Sequence, residues 1–193
     1  YKYYTSNTKL YTKMILLPTT KSPEAGRTFH SKTNPDGRWI AHYKGFFSAP
    51  ETGSYRFLGW GDNVLMVRVG KRVALDASDV NNWSGERREK VGDIEFMDRG
   101  KRPLFGGDWI SLQKGENKPI EVVVGDYGGV FSIALFIQKQ GAEYKPGKYG
   151  TPLYPVFKLS DLTGGDKQKY QAFVPGRECL EGPSFGPVTD TAN

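Results

Sequence analysis

Apolar residues fall along this chain in short alternating runs broken by glycine and proline, and that pattern predicts strands. From Arg38 to Phe47, Trp39, Ala41 and Tyr43 alternate with Ile40, His42 and Lys44, the period-two signature of a half-buried strand. Ala49-Pro50-Glu51-Thr52-Gly53 reads as a turn leading into a strand over Ser54 to Leu58. Val64 to Val69 and Arg72 to Asp76, joined by Gly70-Lys71, form a predicted hairpin. Trp109 to Leu112, Ile120 to Val124 and Val130 to Gln138 complete the set. In the last, Phe131, Ile133, Leu135 and Ile137 share one face, opposite Ser132, Ala134, Phe136 and Gln138. Weaker strand patterns cover Tyr11 to Leu17 and Leu153 to Leu159.

Between these runs, Asn34-Pro35-Asp36-Gly37, Lys114-Gly115-Glu116-Asn117 and Asp126-Tyr127-Gly128-Gly129 carry turn chemistry. Residues 77–108 read as a long, polar, irregular excursion. After Lys139, glycine and proline dominate, and this tail is expected to wrap the domain rather than form a second one. Short strands at regular spacing predict an all-β sandwich or barrel, with the whole of 1–193 as one domain.

Composition narrows the function classes. The chain is 37% hydrophobic, enough for a substantial core. No run approaches the roughly 18 apolar residues of a membrane span. The single cysteine, Cys179, allows no intramolecular disulfide and no cysteine-rich zinc site. The net charge of +6 lies in residues 1–45, with eight basic residues against Glu24 and Asp36. That excess suits attraction to an anionic partner or an ordinary solvated surface. Residues 86–102 hold six basic and five acidic groups, a near-neutral sum that argues against a nucleic-acid stripe.

Catalytic chemistry finds little support. His30 and His42 are the only histidines, and His42 lies inside a predicted strand. No G-x-S-x-G elbow is present, and Gly125-Asp126-Tyr127-Gly128-Gly129 lacks the Lys-Ser/Thr of a phosphate loop. The more suggestive stretch is Gly59-Trp60-Gly61-Asp62-Asn63, where a carboxylate and an amide stand side by side before a strand. Such a loop is either a turn, with Asp62 capping backbone amides, or a site for a cation or a sugar. Trp60, Trp83, Trp109 and Tyr127 are candidate stacking platforms for pyranose rings. Trp60 and Tyr127 adjoin the loops of interest, whereas Trp109, at a strand start, is expected to pack in the core or under a long loop, and Tyr43, Tyr55 and Phe57 are expected to be core or sheet-surface residues.

The segment from Trp39 to Phe57 resembles the signature of the PA-fourteen domain family, named after the anthrax protective antigen. An aromatic–glycine strand (Tyr43-Lys44-Gly45-Phe46-Phe47) precedes a Pro-x-x-Gly turn and Tyr55-Arg56-Phe57. Gly61-Asp62-Asn63 and the hairpin containing Leu65-Met66-Val67 and Val73-Ala74-Leu75-Asp76 then follow in the family's order. The resemblance covers about 37–138, leaving extensions 1–36 and 139–193 similar to those of longer bacterial exported members. It implies a β-sandwich that is secreted, periplasmic or at the cell surface. Its implied role is non-catalytic binding of a glycan or polysaccharide, with service as a structural or protein-interaction module as the alternative. In glycan-binding members two adjacent aspartates joined by a cis peptide hold calcium, and a second loop completes the site. Carried over, this makes Asp62, Asn63 and Asp126 the metal ligands, and together with the neighbouring aromatics Trp60 and Tyr127 they form the expected glycan site. Asn63 departs from the pattern. An amide oxygen ligates calcium but brings no charge, so weak binding is expected.

Overall fold

The computed structural model describes residues 10–29, 38–78, 88–95 and 100–188. The expected turn at 34–37, Trp83 and His30 lie outside these residues. Among the described residues there are ten strands: β1 (Leu16–Lys21), β2 (Trp39–Phe47), β3 (Gly53–Asp62), β4 (Val64–Val69), β5 (Arg72–Asp76), β6 (Glu89–Glu95), β7 (Lys101–Gly106), β8 (Ile110–Leu112), β9 (Lys118–Asp126) and β10 (Val130–Lys139). Short helices follow in the chain order α1 (Ala25–Thr28), α2 (Gly164–Gln171) and α3 (Glu178–Glu181). The strands make two antiparallel sheets. One has the order β1-β10-β3-β7-β6, with β8 also pairing β3; the other has the order β2-β9-β4-β5. The all-β sandwich is therefore observed, as two open sheets rather than a barrel.

Between the sheets lie Phe57, Leu65, Val67, Leu75, Val124, Ile133 and Leu135, all inaccessible to solvent. Phe47, Phe57 and Phe157 meet edge to face, with centroids 5.0–5.9 Å apart. A second cluster of Ala25, Phe29 and Phe131 packs with Trp39 and Ala41 near one end of β2.

Several boundaries differ from expectation, each for a physical reason. β3 continues four residues past Leu58, so the stretch read as a loop is strand, with Gly59, Trp60, Gly61 and Asp62 paired to Leu135, Ala134, Ile133 and Ser132. At Gly61 glycine is required, because a Cβ would lie only 2.7 Å from Leu65 N, whereas a Cβ on Gly59 would press on the side-chain ends of Leu65 and Leu75. Within the span read as irregular, β6 and β7 form a ladder with a bulge between Lys90 and Gly92. Its polar sequence and Pro103 hid it. The first strand lies further along than Tyr11 to Leu17 suggested, running through Pro18 at a sheet edge. Leu153 to Leu159 makes no full ladder, but Val156 bridges Phe136 and Phe157 N–H donates to Leu135 O at 2.9 Å.

The C-terminal segment wraps the sandwich. Phe185 and Leu180 are buried, Ser48 N–H donates to Phe185 O at 3.1 Å, and Asn117 exchanges two 2.8 Å bonds with the Val188 backbone. The buried Lys158 ammonium donates to Leu180 O at 2.9 Å, and burial pushes its pKa down.

Candidate functional site

Two loops from different parts of the sequence meet at one end of the sandwich. The first is the reversal from β3 into β4, where the Asp62–Asn63 peptide is cis. The second is the turn from β9 into β10, where Gly128 and Gly129 adopt φ values of 133° and 91°. Because β4 pairs β9 and β3 pairs β10, the two reversals must emerge side by side. Backbone and side-chain bonds then join them. Asn63 N–H donates to Gly125 O at 3.2 Å, and Tyr127 N–H donates to Asn63 Oδ1 at 2.8 Å. Asn63 Nδ2 donates back to Asp62 Oδ1 at 3.1 Å.

Asp126, at the end of β9, is only 5% exposed. Ser22, just past β1, donates its hydroxyl to Asp126 Oδ2, and Ser22 N–H donates to Gly129 O at 2.9 Å. Asp126 Oδ1 is buried with no hydrogen-bond partner. A carboxylate oxygen in that state is costly unless something else satisfies it, and a cation would do so. Asp62 is likewise buried. The donor set therefore fits a small cation in kind, with two carboxylates and an amide oxygen whose second lone pair is left by the Tyr127 bond. Among the described residues no cluster of three or more His, Cys, Asp or Glu side chains has metal-holding geometry.

The aromatic candidates separate. Tyr127 stands at the rim, 67% exposed, with the Arg38 guanidinium 4.7 Å from its ring centroid. Trp60 is no surface platform: it is 6% exposed, and its Nε1–H donates to Ser132 Oγ at 3.2 Å. Its place within a strand, rather than in a loop, explains the burial. Trp109, expected in the core or under a long loop, is instead partly exposed beneath the Arg56 guanidinium at 4.7 Å. It lies beside the opposite end of β3, where Tyr55 pairs with Ile110.

Sequence reading missed Ser22 and Arg38, which reach the site from the N-terminal extension and from the residue before β2. Neither belongs to a motif. A histidine–carboxylate contact does occur, His42 Nε2 to Glu121 Oε2 at 2.8 Å, on the outer face of the four-stranded sheet. The His42 hydrogen bond, aided by Lys44 and Arg68, holds the Glu121 carboxyl below its ordinary pKa. This is a solvated ion cluster on a flat surface. A cavity of about 380 Å³ bounded by Pro18, Glu95, Phe173 and Pro175 includes no residue of the two loops.

The chain belongs to the GLEYA domain family, which matches residues 39–139, just over half its length and both loops of the site. No curated protein matches it in sequence. Among solved structures it is similar to a PA14 sugar-binding domain from an RTX adhesin, at 16% identity and a TM-score of 0.46, covering 69% of this chain and 71% of that one. It is also similar to the PA14 domain of the MpAFP antifreeze protein, at 14% identity and a TM-score of 0.37, over 54% of this chain and 45% of that one. A third likeness is to a β-glucosidase from Kluyveromyces marxianus solved with glucose, at 13% identity and a TM-score of 0.41, over 57% of this chain but 12% of the enzyme. These likenesses are distant.

Proposed function

We propose that this protein is a non-catalytic carbohydrate-binding module of an exported protein, and that Asp62, Asn63 and Asp126 hold a calcium ion beside an exposed Tyr127. One observation carries the proposal. Two loops remote in sequence converge, placing a buried, unpartnered carboxylate oxygen next to an aromatic ring at the surface. A purely structural turn would satisfy its own buried oxygen. Calcium, when bound, would supply coordination positions that sugar hydroxyls complete. The protein's own groups would do the rest: Asp62 and Asp126 bring the charge, Asn63 a neutral oxygen, and Tyr127 a face for the pyranose. Trp60 has no part in this surface. The alternative, a protein-interaction role, draws support from Ile40 and Phe46, both exposed on the outer face of β2.

The test is a printed glycan array probed in calcium and in chelator. Wild type is expected to bind a defined carbohydrate class in calcium and to lose that signal in chelator. Asn63→Asp should hold the signal at lower calcium because it adds a charge, and Asp62→Ala should lose it while still melting cooperatively, close to wild type in chelator. Signal indifferent to chelator contradicts the metal. Silence on every carbohydrate contradicts the function.

A further inference from the structure

The charge around the Tyr127 rim has a consequence for which sugar is bound. We infer that the site selects glycans carrying an anionic group, a carboxylate or a phosphate, and that Arg38 is the residue that recognises it. The inference rests on the carbohydrate reading of this end of the sandwich and adds the class of ligand.

Arg38 immediately precedes Trp39, which pairs with Asp126 in the β2–β9 ladder. This register brings its side chain to the second loop. The guanidinium lies 4.7 Å from the Tyr127 ring centroid. A cation over the ring makes its contact through the π face and leaves guanidinium N–H groups available, the fork that grips a carboxylate or phosphate with two bonds. Arg38 is exposed and has no ion-pair partner among the described residues. The nearest carboxylate along the ladder, Asp126, is buried and accepts from Ser22 instead.

A second free cation flanks the same turn. Lys21, at the end of β1, pairs in register with Val130, the first residue after the turn, and is exposed without an ion-pair partner among the described residues. Glu24 and Arg27 follow on the next turns and cancel. The buried set contributes two negative charges through Asp62 and Asp126, and Asn63 adds none. A divalent cation would neutralise that set, leaving Arg38 and Lys21 as a net positive rim.

The experiment compares acidic glycans with neutral counterparts of the same linkage, such as oligogalacturonate against its methyl ester and phosphorylated against plain mannose, on wild type, Arg38→Gln and Arg38→Lys in calcium. Wild type is expected to favour the anionic member by about tenfold, as suits one charge-assisted pair, with the preference shrinking as salt rises. Arg38→Gln should bring the ratio of anionic to neutral binding down to about one, and Arg38→Lys should retain part of the preference. Equal binding of both members by wild type, or an unchanged preference in Arg38→Gln, overturns the inference and leaves the carbohydrate reading standing. Failure of wild type to bind any glycan overturns both.

Discussion

A fragment limited to residues 39–139 is expected not to fold, although it contains the entire family-matched segment and both loops of the site. The strand β10 lies at the centre of the reason. On its outer side Leu135 N–H donates to Ile15 O at 3.0 Å and Ile137 N–H to Pro155 O at 2.9 Å, both lost in the fragment. Phe157 and Phe185, whose ring centroids lie 5.0–5.7 Å from those of Phe47, Phe57 and Tyr55, disappear as well. Removing one buried phenylalanine side chain costs about 3–5 kcal/mol, against a total stability of about 5–15 kcal/mol for a domain. Losing two, with Met14, Ile15 and Leu16 besides, exhausts it. Far-ultraviolet and near-ultraviolet circular dichroism check the result. A cooperative thermal transition with native aromatic signals from the fragment would show that the extensions are dispensable.

Gly61→Ala is expected to damage fold and site together. The new Cβ would overlap the Leu65 Cβ and sit 2.7 Å from the Leu65 backbone nitrogen and 3.0 Å from Val64 C. These are backbone and near-backbone atoms of the strand that returns from the reversal, so no flexible side chain can swing aside. Relief requires β3 and β4 to separate just where Asn63 must reach Gly125 and Tyr127. Overpacking of this kind costs about 3 kcal/mol, or about 10 °C in Tm at this chain length. Calcium affinity should fall with it. A variant that melts within a degree or two of wild type would mean the reversal accommodates a side chain.

Strand positions were legible where one face of a strand meets the core and the other meets water, as in β2, whose alternation survives intact. Legibility failed where both faces are covered. In β10, Ser132, Ala134 and Phe136 are as buried as the face opposite: Trp60 bonds to Ser132, and Leu153, Tyr154 and Cys179 of the C-terminal segment gather around Phe136, a cover that no local pattern announces. The GWGD stretch looked like a loop because glycine usually marks one. Here it marks close approach between sheets. The helix α2 did carry a readable signal, the Thr163 and Asp166 capping box, with reciprocal bonds of 3.1 Å. At the site, Asp62, Asn63, Asp126 and Tyr127 were legible as turn residues and as carry-over from a resemblance. Trp60 was misread because aromatic character alone does not say which way a ring points. Ser22 and Arg38 were invisible, since their roles come from the pairing of β1 with β10 and of β2 with β9.

The central claim is that carbohydrate binds where the two loops meet, and a matched pair of aromatic truncations tests it most directly. Tyr127→Ala removes the exposed ring at the site. Trp109→Ala removes an exposed ring beside the other end of β3, roughly 20 Å away along a strand that rises about 3.3 Å per residue. Isothermal titration with the glycan selected on the array should show Tyr127→Ala weakened by about tenfold or more, as expected for an aromatic anchor, and Trp109→Ala indistinguishable from wild type. Unchanged affinity in Tyr127→Ala, or an equal loss in Trp109→Ala, would place the sugar elsewhere on the molecule and contradict the account.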